Sequence, residues 1–437
     1  MKPGYRRCCG IDVHRDQVTV TVLAPVGRTD VKVKKQEFRT FTRNLRRLRA
    51  WLLACQVTEV AMESTGQYWL PVWNILEGAV PKMLLLNPLH VKALECKKTD
   101  AIDSERIAML LQNHELRGSF VPSREVRELR ELLRRRVHLL QESNRVKNRA
   151  EGVCQSGNIK LSSVATNIFG MSGRLMLEGI VEGQRSAGWM ADYAHTRLRS
   201  RKVELELALE GSFTEHQRSL LAAHLRHLKW LEEEVAAVEQ ELAQRMEPYQ
   251  TQLQRLDAIP GVDALTAWTM VAELGPDASA FADDKHAASW AGLCPGNHES
   301  GGKRKSGRTG HGNRYLRRAL CQAARAAART KGSYAAALYR RMLPGMGDQA
   351  AIIAVAHWML VVSYHILHDA SEYYELGGNY FDELNKPKVV QRIVERLRRL
   401  GYRAELTEVG AEAPVKGCRK AQAVLTQVTE KRGVPAG

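Results

Sequence analysis

At 437 residues and 44% hydrophobic content the chain is long enough for two or three domains with cores of their own, and 65 Lys and Arg against 48 Asp and Glu leave a net charge of +17 that favours a polyanionic partner. The longest apolar run, 350–362, is interrupted by His357 and too short to cross a bilayer, and no apolar stretch of signal-peptide length follows the first seven residues. The eight cysteines are scattered without a CxxC pair, which excludes a zinc ribbon or a disulfide framework and predicts reduced thiols in a cytoplasmic chain with no membrane partner.

In chain order, 5–13 and 17–24 read as two strands of a hairpin and 31–36 as a third. Residues 40–55 place Phe41, Leu45, Leu48 and Leu52 at helical spacing. A strand at 58–62, a helix at 67–79, a strand at 82–86 and helices at 88–95 and 100–113 follow. Three antiparallel strands and then helix–strand–helix–strand–helix is the order of a ribonuclease-H-like α/β fold with a mixed five-stranded sheet. In that fold Asp12 lies on the central strand, Glu63 ends the fourth, and the last helix packs beside both.

That last helix opens with Lys98-Thr99-Asp100-Ala101-Ile102-Asp103-Ser104-Glu105. Asp100 and Asp103 share one helix face, and carboxylates so close repel unless a cation, a proton or a basic partner lies between them. Four converging acids, Asp12, Glu63, Asp100 and Asp103, form a hard-oxygen site suited to Mg2+ or Mn2+, able to stabilise charge on a phosphodiester. A solvated helix face is the plain alternative for the pair.

Beyond 123 the composition turns helical and arginine-rich. Residues 123–151 carry Val126, Leu129, Leu133, Val137 and Leu140 at helical steps, whereas 152–185 is glycine-spotted and without a clear period. Between 214 and 247, Leu221, Leu228, Val235 and Leu242 are seven apart with Leu231 and Val238 between them, a coiled-coil seam for an antiparallel arm or a subunit contact, or else one long amphipathic helix. Residues 256–263 then read Leu-Asp-Ala-Ile-Pro-Gly-Val-Asp, a helix-hairpin-helix-like element in which Gly261 lets backbone N–H groups approach a DNA phosphate; an ordinary Pro-Gly turn is the alternative. From Gly301 to Arg341 there are twelve Lys and Arg and no acid, with Lys303, Arg304, Lys305 and Arg308 clustered and Arg314, Arg318, Arg325 and Arg329 along one helix arc. Ser300 sits among these cations in a glycine-flanked loop that favours an alkoxide, and Ser306 competes with it on local chemistry. Residues 350–368 read as a buried helix, and after 370 the chain is polar, with a basic helix at 387–400 and a loosely ordered end.

Gly-Ile-Asp12-Val-His, Met-Glu63-Ser-Thr-Gly, Lys-Thr-Asp100-Ala-Ile-Asp103, the Ile-Pro-Gly-Val turn and Gly-Leu-Cys-Pro…Ser300-Gly-Gly-Lys…Gly-Asn-Arg-Tyr-Leu-Arg together resemble the DEDD-type insertion-sequence transposases over about 6–115 and 253–368. The resemblance implies a RuvC-like metal-dependent domain at 1–122, a helical coiled-coil arm at 123–252, a mostly α transposase domain at 253–369 and a polar extension at 370–437. It implies Asp12, Glu63, Asp100 and Asp103 as metal ligands and Ser300 as the nucleophile that forms a covalent phosphoserine link to DNA. It further implies a bridge RNA that pairs with element ends and target DNA, and a homo-oligomer, dimer or tetramer, whose active site is shared between subunits. Glu299 departs from the family pattern, since an acid beside Ser300 opposes ionisation unless a base offsets it. The competing readings are a RuvC-type nuclease using only the carboxylates and water, and a non-catalytic nucleic-acid scaffold.

Overall fold

The computed structural model describes residues 7–26, 30–63, 66–87, 104–116, 118–296, 298–300 and 303–406. The expected helix at 88–95, the pair Asp100 and Asp103, and the end of the chain from 407 lie outside them. The chain divides into two compact units, Met1–Arg124 and Glu125–Gly437.

In the first unit, β1 (Cys8–Val13), β2 (Gln17–Val26), β3 (Asp30–Arg39), β4 (Glu59–Glu63) and β5 (Lys82–Leu86) form one sheet in the order β3-β2-β1-β4-β5. β1–β2 and β2–β3 pair antiparallel, whereas β1–β4 and β4–β5 are parallel, so the mixed five-stranded sheet stands as expected. Exposed Lys32, Lys34 and Lys35 line the edge strand β3 and discourage pairing with another chain. Side-chain alternation divides the central strand. Cys9, Ile11 and Val13 join the core with Leu45, Leu48 and Leu52 of α1 (Thr42–Ala54) and Val72, Trp73 and Leu76 of α2 (Trp69–Leu76). Cys8 lies on the other face with Ala61, Leu86 and Ile107 and Leu111 of α3 (Ser104–Gln112).

Gly10 is what lets α3 lie on β1. A Cβ there would stand 2.0 Å from the Ser104 carbonyl oxygen and 2.5 Å from the Ala108 nitrogen, both backbone atoms that cannot step aside. Gly10→Ala is therefore expected to cost about 3 kcal/mol or more in a thermal melt. Gly152, inside a helix and with open space around it, gives the opposite sign: Gly152→Ala should stabilise by about 0.5–1 kcal/mol.

The second unit opens with α4 (Arg124–Ser156), followed by α5 (Met171–Glu182), α6 (Lys202–Leu209) and α7 (Glu215–Arg245). α4 and α7 run antiparallel, as the ion pairs Glu128–Arg245 (2.9 Å) and Arg136–Glu239 (2.6 Å) show. The seven-residue series on α7 is divided among three neighbours within the chain. Leu221 enters a core with Met176, Leu177, Leu205 and Leu209; Leu228 and Leu231 meet Val146; Val238 and Leu242 meet Leu129 and Leu133. Val235 is half-buried, and α4 contributes to each of these groups, with Ala150 and Cys154 in the first, Val146 in the second and Leu129 and Leu133 in the third. The segment 152–185, which lacks a clear period, contributes α5 to a small core of its own.

The main elements that follow are α8 (Gln250–Asp257), α9 (Ala264–Leu274), α10 (Asp284–Trp290), β6 (His298–Ser300), β7 (Lys303–Ser306), α11 (Arg314–Ala327), α12 (Tyr334–His368) and α13 (Lys386–Arg399). α12 breaks at Gly347, φ 78°, three residues after Pro344. It is long and apolar enough to cross a membrane, but 67% of its most apolar window is buried inside the unit, where Ile352, Val355 and Met359 pack against α9 and α11 residues. The six described cysteines are free thiols, four of them buried.

Candidate active site and nucleic-acid interface

β1 and β4 end side by side. Ile11 pairs with Met62 in the parallel register, so Asp12 and Glu63 are each the next residue beyond the same rung. Strand alternation puts Asp12 with Cys8 and Gly10, and Glu63 with Ala61, on the face covered by α3. The first residue of α3 is held there, since the hydroxyls of Thr21 and Ser104 share a hydrogen bond of 2.8 Å. Asp12 also meets its neighbour in sequence, with His14 Nε2 3.1 Å from Asp12 Oδ2. Among the described residues no group of three or more Asp, Glu, His or Cys converges as a metal site. Asp12 and Glu63 supply two hard-oxygen donors on one face, a chemistry that fits Mg2+ or Mn2+.

Ser300 is not in a loop, contrary to expectation. It closes β6 as the register partner of Lys303, with Glu299 paired to Arg304 and His298 to Ser306 across an irregularity. Gly301 and Gly302, between the paired Ser300 and Lys303, lie outside the described residues. The register also separates the two serines, Ser300 next to the connection and Ser306 toward the root. At the root Pro295 bridges to Thr309, and the Gly296 N–H donates to the Arg308 carbonyl at 2.8 Å.

Arg314, Arg318, Arg325 and Arg329 are all exposed, the first three on α11 and the last two residues past its end. Arg325 has a partner the local sequence does not reveal: Asp348, at 3.3 Å, reaches it from the kink of α12. Gly261 has a packing role. With φ 85°, a Cβ at this position would come within 2.5 Å of the Ala323 oxygen and the Ala327 nitrogen, so the turn between α8 and α9 abuts the backbone of α11. The positive φ and this close approach both require glycine here.

Sequence reasoning missed a buried polar cluster behind the hairpin root. Glu273, 1% exposed, accepts from Arg134 Nε and Nη2 at 3.1 and 3.0 Å and from Asn313 Nδ2 at 2.7 Å. Arg130 lies 3.3 Å from Glu273 Oε2 and donates to the carbonyls of Ala272 and Glu273 at 2.7 and 2.6 Å. Burial pulls the Arg130 guanidinium down to about 10, partly offset by Glu273. The available signal was one carboxylate in the otherwise apolar Ala-Leu-Thr-Ala-Trp-Thr-Met-Val-Ala-Glu-Leu helix, since a buried charge requires a partner.

Two family models match the chain. The DEDD transposase model of the IS110 group covers residues 9–157, and that of the IS116/IS110/IS902 transposase family covers 253–340. A probable family 20 transposase of Pseudomonas aeruginosa is 33% identical over 103 residues, 23% of this chain and 30% of that protein's length. Among solved structures, Thermus thermophilus RuvC aligns at 19% identity over 26% of this chain and 84% of its own, with a TM-score of 0.19.

Proposed function

The chain belongs to the IS116/IS110/IS902 transposase family, and from that premise we propose that it cuts and rejoins DNA through a covalent phosphoserine intermediate at Ser300. The observation that carries the reading is the in-register placement of Asp12 and Glu63 on the α3 face, where the chain enters the helix directly from Asp103. Asp12, Glu63, Asp100 and Asp103 would hold a divalent cation, Mg2+ or Mn2+. When bound, it would neutralise charge developing on the scissile phosphate.

The residues of the hairpin have separate tasks. Ser300 Oγ forms a bond to phosphorus as one backbone P–O bond breaks, and the departing DNA hydroxyl takes the proton. A second DNA hydroxyl then attacks the phosphoserine, so the number of P–O bonds is conserved and no net hydrolysis occurs. Lys303, Arg304, Lys305 and Arg308 clamp the phosphate. Arg304, the register partner of Glu299, would be the basic neighbour that the acid beside Ser300 requires.

The exposed arginines of α11 track the DNA backbone. Arg318→Ala should weaken binding about equally on all sequences and flatten the log–log salt slope by about 0.9. Arg325→Ala should flatten it less, because Asp348 already engages that guanidinium. Fluorescence anisotropy across a salt series measures both. A bridge RNA choosing donor and target by base pairing, and a homo-oligomer, dimer or tetramer, with a shared site, belong to the same proposal.

The test is direct. Labelled element-end DNA is incubated with the protein and Mg2+, then denatured. Label migrating with the protein is the expected result. Nicked DNA without attached protein would favour the RuvC-type nuclease, and bound but unprocessed DNA would leave only a scaffold.

A further inference from the structure

We infer that Glu273 is a positioning residue for the serine site: gripped by Arg130 and Arg134 of α4, it holds Asn313 and so sets the direction in which the β6–β7 hairpin and the arginine face of α11 are presented. This rests on the reading of Ser300 given above and adds how that serine is aimed.

Asn313 is a joint with all its side-chain groups committed. Its Oδ1 accepts from the backbone N–H groups of Tyr315 and Leu316, both at 3.0 Å, capping α11. Its Nδ2 donates to Glu273 at 2.7 Å and its backbone N–H donates to the Trp290 carbonyl at 3.0 Å. The preceding residue is clamped as well: a Cβ on Gly312 would stand 2.2 Å from the Gly292 nitrogen. The strands that leave this joint are those bridged at Pro295 and Thr309, which lead into the hairpin. Beside it, Arg134 and Arg314 each lie 4.8 Å from the ring centre of Tyr315, the first residue of α11 after Arg314. One buried carboxylate thus ties the arm helix, the end of α10, the hairpin root and the start of α11 together.

Energetics favour a geometric role. A buried ionic cluster gains little stability over well-packed apolar groups of similar size, because desolvation offsets the attraction. What it specifies is orientation, since each donor must meet one oxygen at one angle.

Two variants separate positioning from folding. Asn313→Ser keeps a helix cap but loses the donor to Glu273. The triple replacement Arg130→Met, Arg134→Leu, Glu273→Leu removes the charges together and is expected to restore packing. Both should melt near the wild-type temperature, yet form the covalent DNA adduct about 100-fold more slowly at saturating DNA. Amide hydrogen exchange over residues 308–316 should rise in both. Adduct formation within twofold of wild type in both would overturn the inference. Exchange is read without any reaction, so if the wild-type protein forms no adduct the serine mechanism fails by itself; unchanged protection of 308–316 would then overturn the positioning role.

Discussion

Ser300→Ala is expected to remove the covalent protein–DNA species while leaving DNA affinity within about twofold of wild type. A nucleophile has no substitute in a mechanism that passes through its covalent intermediate, so strand exchange should fall by a factor on the order of 10^3 or more. Stability should hardly change, because Ser300 ends a short hairpin strand and the substitution removes a single hydroxyl. Ser306→Ala is the matched control. It pairs with His298 toward the hairpin root and should retain the adduct, so the two serines that local chemistry could not separate are distinguished by register. If Ser300→Ala cleaved DNA at the wild-type rate, the phosphoserine mechanism would be lost and a water-using nuclease would take its place.

Asp12→Asn and Glu63→Gln are the second pair with large expected effects. Each replaces a charged oxygen donor by a neutral amide of nearly the same shape at a strand end, so the sheet and its cores should remain. A divalent cation loses affinity and charge compensation when one carboxylate is removed, and several kcal/mol of lost transition-state stabilisation corresponds to about 10^3-fold in rate. DNA cleavage in Mg2+ should fall by that order for either variant, and the Mg2+ concentration for half-maximal residual activity should rise. His14→Ala serves as the control for Asp12, because the imidazole 3.1 Å away gives that carboxylate a local partner unrelated to metal. Full activity in both Asp12→Asn and Glu63→Gln would show the acids to be structural and leave a basic nucleic-acid binder.

Much of the first unit was legible because its signals are local. Alternation and short apolar runs delimited the strands, and strand order alone implied which sheet they would build. The fourth strand was expected at 58–62 and the fifth at 82–86, and β4 and β5 occupy 59–63 and 82–86. The need for Gly10 was not legible there, since only the packed structure shows the helix backbone 2.0 Å from where a Cβ would be.

The second unit was harder for the same physical reason in reverse. The heptad spacing on α7 was real, but spacing does not name a partner, and three different cores within the chain divide those leucines. The basic run from Gly301 to Arg341 contains no acid, yet Asp348 returns across a helix kink to meet Arg325. Gly261 stood out in the sequence as a turn glycine, but that the backbone of α11 lies against it is visible only in the packed structure.

The amino-acid sequence by itself determined the α/β order of the first unit and the excess of positive charge, because each depends on local pattern or on composition. Tertiary structure decided that Asp12 and Glu63 share a face beside α3, that Ser300 lies on a hairpin strand, and that Glu273 of α9 meets Arg130 and Arg134 of α4 and Asn313 at the start of α11. Those are contacts between residues far apart in sequence, and only the packing of backbone against backbone selects which of them form.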